Sequence, residues 1–186
     1  TYENVASGPR GPGEIRVRNR GIGLNFVDIY FRTGEYAPSS LPFIPGNEGA
    51  AEVVAVGDGV RDFAPGDRVA YVETLGSYAE ERLVSAHFAV HLPSAIDFET
   101  GAVMMLKGLT AQYLLRRTFR VERGHVILVH AAAGGVGLIL TQWAKHLGAT
   151  VIGTLGSDEK AALALQNGCD IVINYRKVTL LYSTHD

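Results

Sequence analysis

The sequence predicts an α/β protein in which a β-rich unit precedes a doubly wound parallel sheet. A difference in residue pattern between the two halves of the 186-residue chain supports this prediction. Residues 1–98 are rich in glycine, proline and short β-like runs, whereas residues 99–186 alternate strand-like and helix-like segments. Such alternation is typical of a parallel sheet with right-handed crossovers. We therefore expect two domains, 1–98 and 99–186.

Three strand candidates lie in the β-rich unit. Residues 14–18 alternate between polar and apolar side chains, and 50–56 and 68–72 are further candidates. The turn sequences Gly-Asp-Gly at 57–59 and Pro-Gly-Asp at 65–67 separate these segments. Short strands divided by such turns predict a compact antiparallel sheet.

The second half begins with two segments that are predicted to be helical, 100–106 and 109–119, with Gly108 between them. The short apolar run 126–129 is typical of a buried parallel strand. A second strand is expected at 150–154, and a third ends near Asn174.

The segment after the run 126–129 is the most informative in the chain. Ala132, Gly134 and Gly137 have the spacing of a dinucleotide-binding turn, with alanine at the first glycine position. An amphipathic helix follows and is expected to stop at Gly148. Its N-terminus would offer N–H groups and a positive dipole end to a diphosphate, although a purely structural turn remains an alternative. Its apolar face comprises Val136, Ile139, Leu140, Trp143, Ala144 and Leu147.

Composition narrows the classes of function. Hydrophobic residues make up 47% and charged residues 19%, which indicates a globular protein. The net charge of −2 and the lack of a basic patch argue against a nucleic-acid partner. The sequence contains no apolar run that could span a bilayer, so we expect no membrane association. The single cysteine, Cys169, is compatible with a reducing compartment, and we expect a cytoplasmic location.

Five segments carry a resemblance to a known family. Their sequences are GLNFVDIY at 23–30, PGNEG at 45–49, GDRV at 66–69, LKGLTAQY at 106–113 and AAAGGVG at 131–137. Together they resemble the zeta-crystallin-like NADPH:quinone oxidoreductases of the medium-chain dehydrogenase/reductase superfamily. The resemblance implies a GroES-like substrate domain, a Rossmann domain that binds NADPH, a quinone or enone substrate and a homodimer.

The resemblance extends from about Glu3 to Arg176, and residues 177–186 differ from the family. Family members continue considerably further, and a Rossmann sheet has about six strands, of which roughly the first three are expected here. The sequence therefore predicts a partial Rossmann sheet and a truncated chain, and whether this chain turns over substrate stays open.

Zinc is not expected. Zinc-dependent relatives need clustered Cys, His and carboxylate ligands, and a structural zinc site needs four cysteines. Where the zinc enzymes carry a cysteine and a histidine, this sequence has Asn25 and Asn47. The sequence therefore predicts hydride transfer without a metal.

The choice between NADH and NADPH depends on the residues after the second strand. An NAD-binding chain usually has an acid there that binds the ribose hydroxyls, whereas this chain has Gly156 and Ser157, followed by Lys160. Ser157 could equally be a helix N-cap and Lys160 a surface residue, and the acids Asp158 and Glu159 argue mildly against a phosphate. The resemblance favours NADPH, because the family binds the 2′-phosphate among residues matching Ser157, Lys160 and Tyr175.

The resemblance also implies the remaining site residues. Asn25, Tyr30 and Tyr36 would lie on the substrate side, where amide and phenol groups can hydrogen-bond a carbonyl or the nicotinamide amide. Lys107 and Thr110 match positions near the nicotinamide. Tyr30 could instead be a core aromatic, and Lys107 a surface lysine. The expected cofactor-binding residues are Asn25, Tyr36, Lys107, Thr110, Ala133, Gly134, Gly135, Val136, Gly137, Gly156, Ser157, Lys160 and Tyr175.

Two other residues have structural interpretations. Glu48 is predicted to hold backbone in a tight turn, and Cys169 is predicted to pack in the core. Three hypotheses of function remain. The first is an NADPH:quinone oxidoreductase, the second an enoyl or alkenal reductase on the same scaffold, and the third a nucleotide-binding fragment without turnover.

Overall fold

The computed structural model describes residues 3–73 and 75–177. The chain forms two compact units, of which the first ends at Leu106 and the second begins at Lys107. This division falls within the long helix α2 (Phe98–Tyr113), whose start coincides with the predicted 98/99 boundary. The assignment of domains 1–98 and 99–186 remains a prediction.

The first unit contains a five-stranded antiparallel sheet in the order β4-β1-β2-β3-β5. This sheet confirms the predicted β-rich unit, although its first strand continues five residues beyond the predicted end at residue 18. Helix α1 follows the first strand and is capped at its C-terminus by Gly34, which has the left-handed φ of +86° that favours glycine. The bounds are β1 (Glu14–Gly23), α1 (Phe26–Thr33), β2 (Glu48–Val56), β3 (Arg68–Val72), β4 (Glu81–Ser85) and β5 (Ala89–His91).

Two apolar clusters stabilise this unit. Alternation along β1 directs Ile15 and Val17 into the larger cluster, where they pack with Val53, Val69 and Tyr71. The smaller cluster lies against the first part of α2 and includes Leu92, Ala102, Ala50 and Ala70. The sheet is thus covered on both faces by apolar side chains.

The second unit contains a three-stranded parallel sheet in the order β6-β7-β8. Each crossover carries one helix, as the sequence predicted, and the α/β fold class is confirmed. Gly148 has a φ of +86° directly after the helix between the first two of these strands, in agreement with the predicted helix stop. The bounds are β6 (Val126–Val129), α3 (Gly135–His146), β7 (Thr150–Leu155), α4 (Asp158–Gln166) and β8 (Ile171–Asn174).

The predicted apolar face of α3 covers this sheet. Leu140 and Ala144 are buried in the core, and Val136, Ile139, Trp143 and Leu147 pack against it. Cys169 is also buried in this cluster, as predicted, and burial together with the charge of Asp170 raises the pKa of its thiol.

Two local predictions were wrong. Gly108 does not separate two helices, because α2 continues through it; a glycine in a helix costs only about 1 kcal/mol relative to alanine, which neighbouring packing can offset. Strand β6 is not buried on both faces, since Val126 is 65% and Leu128 is 56% exposed. Side chains alternate between the two faces of a sheet, so Val126 and Leu128 share the face opposite the buried Val129.

Candidate functional site

The turn after β6 closes on itself. The backbone N–H of Gly134 donates to the carbonyl oxygen of Ala131 at 2.8 Å, and that of Ala132 donates to Thr154 of β7 at 3.2 Å. Ala131 has a φ of +52°, a conformation that costs an alanine about 1 kcal/mol or more. The left-handed residue of this turn is therefore Ala131, which directly precedes Ala132 at the first glycine position of the sequence spacing.

Helix α3 begins within this turn. Gly137 is buried, and a Cβ atom on it would lie 2.4 Å from the Ala131 carbonyl oxygen, so only glycine allows the helix to approach the turn. Gly134 and Gly135 are exposed, while Ala133 and Val136 are half-buried against the core. The first N–H groups of a helix have no partner within it, so they are directed toward the space above the turn. This arrangement suits an anion such as a pyrophosphate.

Lys107 lies beside the start of α3. A Cβ atom on Gly135 would approach Cδ and Cε of Lys107 to 3.0 Å, so the lysine chain crosses that glycine. Thr110 follows Lys107 after about one turn of α2 and is half-buried. The structure therefore brings Lys107 to the glycine-rich turn and places Thr110 next along the same helix.

A second group of predicted residues lies where β7 and β8 end. The carboxyl ends of parallel strands share one edge of a sheet, so Gly156 and Tyr175 follow their strands at the same edge. A Cβ atom on Gly156 would lie 2.6 Å from the Tyr175 hydroxyl. Ser157 is the N-cap of α4, because its Oγ accepts the backbone N–H of Lys160 at 3.3 Å. The Lys160 side chain is exposed.

Asp158, the acid at the start of α4, already has two partners. Asp158 Oδ1 accepts a hydrogen bond from Asn174 Nδ2 at 2.9 Å, and Oδ2 forms an ion pair with Lys177. The bond from Lys177, followed by that from Asn174, holds the pKa of Asp158 below its usual range. Its negative charge is therefore partly compensated, which weakens the argument that this acid disfavours a phosphate.

In the first unit, Asn25 is fixed by two buried carboxylates. Its backbone N–H donates to Asp28 Oδ2 at 2.8 Å, and its Nδ2 donates to Glu48 Oε1 at 2.8 Å. Glu48 is fully buried, and its Oε2 accepts the backbone N–H of Leu106 at 2.7 Å. Glu48 thus holds backbone as predicted, but in helix α2 rather than in a tight turn.

Tyr30 and Tyr36 lie close together near the other end of α1. Their ring centroids are 5.2 Å apart, and the backbone N–H of Tyr36 donates to the carbonyl oxygen of Tyr30 at 3.1 Å. Phe26 also contacts Tyr30, edge to face, with a centroid distance of 5.3 Å. Tyr36 is half-exposed, while Tyr30 is half-buried, so the structure fits both interpretations of Tyr30.

Sequence reasoning missed the phenol beside Asp28. The Tyr78 hydroxyl donates to Asp28 Oδ2 at 2.9 Å. Desolvation, together with the hydrogen bond to Asp28 and its charge, raises the pKa of Tyr78 to about 12. Tyr78 therefore acts as a neutral hydrogen-bond donor that secures the start of α1.

A cavity of about 280 Å³ was also not predicted from the sequence. The described residues in its wall are Asn47, Val72, Glu73, Phe88 and Leu106. The sequence had identified Asn47 only as a missing zinc ligand. The wall combines a buried amide with apolar residues from three other segments of the chain. Because these residues are distant in sequence, no local pattern predicts the cavity.

The part of the chain that the structure describes has neither a candidate metal cluster nor a candidate membrane-spanning helix. Across 3–73 and 75–177, no group of three or more His, Cys, Asp or Glu residues could hold a metal ion. No helix in that part of the chain is both long and apolar enough to cross a membrane.

Two family models match the sequence. Residues 11–94 match the alcohol dehydrogenase GroES-like domain, and residues 135–183 match the zinc-binding dehydrogenase family. The first match covers the antiparallel sheet, and the second begins at the N-terminus of α3. Both units therefore have recognised counterparts.

Individual relatives are close in sequence. A quinone oxidoreductase of Pseudomonas aeruginosa is 54% identical over 94% of this chain and 54% of its own length. A 2-haloacrylate reductase of a Burkholderia species is 47% identical over the same shares. Among solved structures, the Escherichia coli quinone oxidoreductase complexed with NADPH has a TM-score of 0.88 and 49% identity, covering 94% of this chain and 54% of that one. The chain spans about half the length of these relatives.

Proposed function

The chain belongs to the quinone oxidoreductase branch of the medium-chain dehydrogenase/reductase superfamily, and from this premise we propose that it serves NADPH-dependent reduction of a quinone. The observation that carries the proposal is the turn between β6 and α3. There Gly137 lets the helix N-terminus approach the turn, and exposed Gly134 and Gly135 leave room for a diphosphate above it.

When NADPH is bound, its nicotinamide supplies the hydride for the reduction. The chain's part is to bind and orient. The N-terminus of α3 would hold the phosphates of the cofactor. Lys107 would bind near the nicotinamide, because its side chain lies beside the glycine-rich turn where α3 begins. The residues proposed at the diphosphate are Ala133, Gly134, Gly135, Val136 and Gly137, with Thr110 near the nicotinamide.

Selectivity for NADPH is proposed to depend on the edge of the sheet beyond β7. Gly156 and Ser157 directly follow that strand, so no carboxylate stands where the ribose hydroxyls of NADH would be bound. The nearest acid, Asp158, is engaged by Asn174 and Lys177. Ser157, Lys160 and Tyr175 are the residues that we propose for the 2′-phosphate.

Asn25, Tyr30 and Tyr36 are proposed for the substrate and nicotinamide side. Glu48 orients the Asn25 amide through one N–H of Nδ2, and the second N–H is the donor that we propose for a carbonyl. The phenols of Tyr30 and Tyr36 would add further hydrogen bonds. Such prepositioned donors stabilise negative charge that develops on a substrate oxygen.

Titration of the chain with NADPH and with NADH, followed by calorimetry or nicotinamide fluorescence, tests the proposal. A lysine–phosphate hydrogen bond contributes about 1.5–3 kcal/mol, so NADPH should bind roughly 10–100 times more tightly than NADH. Lys160→Ala should weaken NADPH by a similar factor and leave NADH unchanged. Equal affinities for the two cofactors would overturn the selectivity, and binding of neither would overturn the proposed function.

Lys145→Ala is the matched control. Lys145 lies in the last turn of α3, away from the glycine-rich turn, and forms an ion pair with Asp170. Its loss removes the same charge from the protein as Lys160→Ala but leaves the edge beyond β7 intact. Cofactor affinity should therefore stay at the value of the unmodified chain.

A second candidate is reduction of an enone or a related conjugated acid. The relative that favours it is the 2-haloacrylate reductase, which is 47% identical to this chain. A third is nucleotide binding without turnover. Steady-state assays with NADPH and either a quinone or an alkenal distinguish these candidates, since turnover of neither alongside tight NADPH binding would favour the third.

Zinc independence is part of the proposal. Its support is the pair of amides at the two positions where zinc enzymes carry ligands: Asn25 already donates to Glu48, and Asn47 is a weak ligand type for zinc. Elemental analysis after purification without added zinc, combined with a chelator, tests it. Stoichiometric zinc, or loss of NADPH binding on chelation, would contradict it.

The resemblance adds three further proposals. Residues 1–98 and 99–186 would be the two domains. Expressing each range separately, and measuring whether it folds, tests the boundary. A homodimer is proposed from the family and is tested by sedimentation equilibrium. A cytoplasmic location is compatible with the free thiol of Cys169 and is tested by cell fractionation.

A further inference from the structure

His130 lies at the carboxyl end of β6 and directly precedes the glycine-rich turn. Side chains alternate along a strand, so His130 shares the face of exposed Leu128, opposite the buried Val129. His130 is itself exposed. Ligands of open parallel sheets bind outside the carboxyl ends of the strands, so this ring lies at the edge where the diphosphate is proposed to bind. His130 is not among the residues proposed for the cofactor.

A hydroxyl of β7 holds the ring of His130. Nδ1 of His130 and Oγ1 of Thr154 are hydrogen-bonded at 2.9 Å. The two residues are neighbours across the sheet, because Val129 pairs with Gly153 in the register just before them. The backbone carbonyl oxygen of Thr154 also accepts the N–H of Ala132 at 3.2 Å. The same residue of β7 therefore contacts both the ring and the glycine-rich turn.

The burial of Thr154 decides which atom donates in the hydrogen bond to the ring. Thr154 is only 4% exposed, and its hydroxyl has no partner other than His130 among the described residues. If the hydroxyl only accepted, its own proton would be buried without an acceptor, which is unfavourable. The hydroxyl therefore donates to Nδ1, and the neutral ring carries its proton on Nε2. The exposed ring thus offers an N–H donor whose tautomer is fixed.

We propose that His130 is a cofactor-binding residue whose Nε2–H donates to the diphosphate of the dinucleotide, and that Thr154 is the positioning residue that keeps the proton on Nε2. The inference rests on the proposed binding of NADPH. It adds a side-chain donor to the backbone N–H groups at the start of α3. Hydrogen bonds to a charged phosphate oxygen are stronger than neutral ones, and a donor that is prepared in advance loses less on binding.

NMR of the histidine rings in the intact, isotope-labelled chain tests the tautomer, because nitrogen–proton correlation spectra distinguish a protonated ring nitrogen from an unprotonated one. His125 is an internal control. Its Nδ1 accepts the backbone N–H of Glu122 at 3.0 Å, so its neutral ring also carries the proton on Nε2. It directly precedes β6, at the opposite edge of the sheet. We expect the Nε2–H tautomer in both rings.

Two ligands of the same nucleoside test the contact. ADP carries a diphosphate, whereas adenosine carries none. Titration with ADP, and with NADPH, should shift the Nε2 signal of His130 in a saturable way and leave that of His125 unchanged. Adenosine should shift neither ring. His130→Ala should weaken ADP and NADPH at least about fivefold, and the matched control His125→Ala should leave both affinities unchanged.

Two replacements of Thr154 test its positioning role. Thr154→Val keeps the branched shape but removes the hydroxyl, so His130 should populate both tautomers and ADP affinity should fall about twofold. Thr154→Ser retains the hydroxyl and should keep the Nε2–H tautomer and full affinity. Adding Thr154→Val to His130→Ala should cause no further loss. Thermal unfolding identifies any variant that fails to fold, and in that case the spectra of the unmodified chain with ADP and adenosine decide.

A neutral His130 with its proton on Nδ1 would overturn the role of Thr154. Equal shifts with ADP and adenosine, or unchanged ADP affinity in His130→Ala, would overturn the contact with the diphosphate. Failure of the unmodified chain to bind either NADPH or ADP contradicts the proposed function, and this inference with it. Tight NADPH binding that does not depend on His130 contradicts this inference alone.

Discussion

The carboxylate of Glu48 holds the side-chain amide of Asn25, with Oε1 accepting from Nδ2 at 2.8 Å. The second oxygen of the same carboxylate accepts the Leu106 N–H at 2.7 Å. One fully buried acid at the start of β2 thus connects the residue before α1 with the middle of α2. Gly23 makes this possible, because a Cβ atom there would lie 2.4 Å from Glu48 Cγ.

Replacement of Glu48 by alanine should be strongly destabilising. It leaves two donors, Asn25 Nδ2 and the Leu106 N–H, without their charged acceptor in a buried environment. Each hydrogen bond to a charged group contributes about 1.5–3 kcal/mol, and removal of the desolvation cost of the buried acid offsets part of the two losses, so we expect a net loss of roughly 2–4 kcal/mol in the free energy of unfolding. Urea unfolding followed by circular dichroism measures it.

Glu52→Ala on the same strand is the control. Glu52 is paired with Arg20 at the surface at 3.0 Å, so its replacement should cost no more than about 1 kcal/mol. Equal losses in the free energy of unfolding for the two variants would show that the buried hydrogen bonds of Glu48 stabilise the protein no more than a surface ion pair does.

Two glycines should respond to alanine with opposite signs. Gly137→Ala would place a Cβ atom 2.4 Å from the Ala131 carbonyl oxygen, and the shift that relieves this clash should cost about 1–3 kcal/mol. Gly108→Ala meets no atom within 4 Å and removes a flexible residue from inside α2. It should stabilise the protein by about 0.5–1 kcal/mol. Thermal unfolding of both variants tests the pair, and destabilisation by Gly108→Ala would contradict the continuous helix.

Asp170 should contribute to the loss of stability in acid. The hydrogen bond from Lys145, followed by that from the Val151 N–H, lowers the pKa of this carboxyl. A lowered pKa in the folded state means that the stabilisation is fully present above the unfolded pKa of about 3.9 and is lost as the pH falls through the lower, folded pKa. Asp170→Asn should therefore reduce the melting temperature at neutral pH and flatten its decline below about pH 4. Melting curves from acid to neutral pH measure this, and an unchanged acid limb would contradict it.

Much of the fold could be predicted from short-range pattern. Strand β3 (Arg68–Val72) and strand β6 (Val126–Val129) have the predicted bounds, because β-branched residues and turn sequences mark strand ends locally. The apolar face of α3 was likewise predicted from spacing, and the N-cap role of Ser157 was one of the two interpretations that the sequence left open. These features depend on residues only a few positions apart, so the sequence displays them directly.

The remaining features depend on residues that are distant in sequence. Glu48 meets a partner 23 residues before it and another 58 residues after it, and neither pairing leaves a local pattern. The left-handed conformation of Ala131 was not predicted, because the glycine spacing identifies a turn but not which residue carries its strain. Contacts of these kinds are set by the tertiary fold.

Gly156 and Tyr175 offer a test that separates binding from stability. A Cβ atom on Gly156 would lie 2.6 Å from the Tyr175 hydroxyl, and that side chain is about half-exposed, so it can swing away at little cost. Gly156→Ala should therefore leave the melting temperature nearly unchanged. If Tyr175 binds the 2′-phosphate as proposed, its displacement should weaken NADPH about 3–10-fold, the value of one hydrogen bond, and leave NADH unaffected. Tyr175→Phe, which removes only the hydroxyl, should produce the same loss, and combining the two changes should add little further. Full NADPH affinity in both variants would remove Tyr175 from the proposed cofactor site while leaving the glycine-rich turn in place.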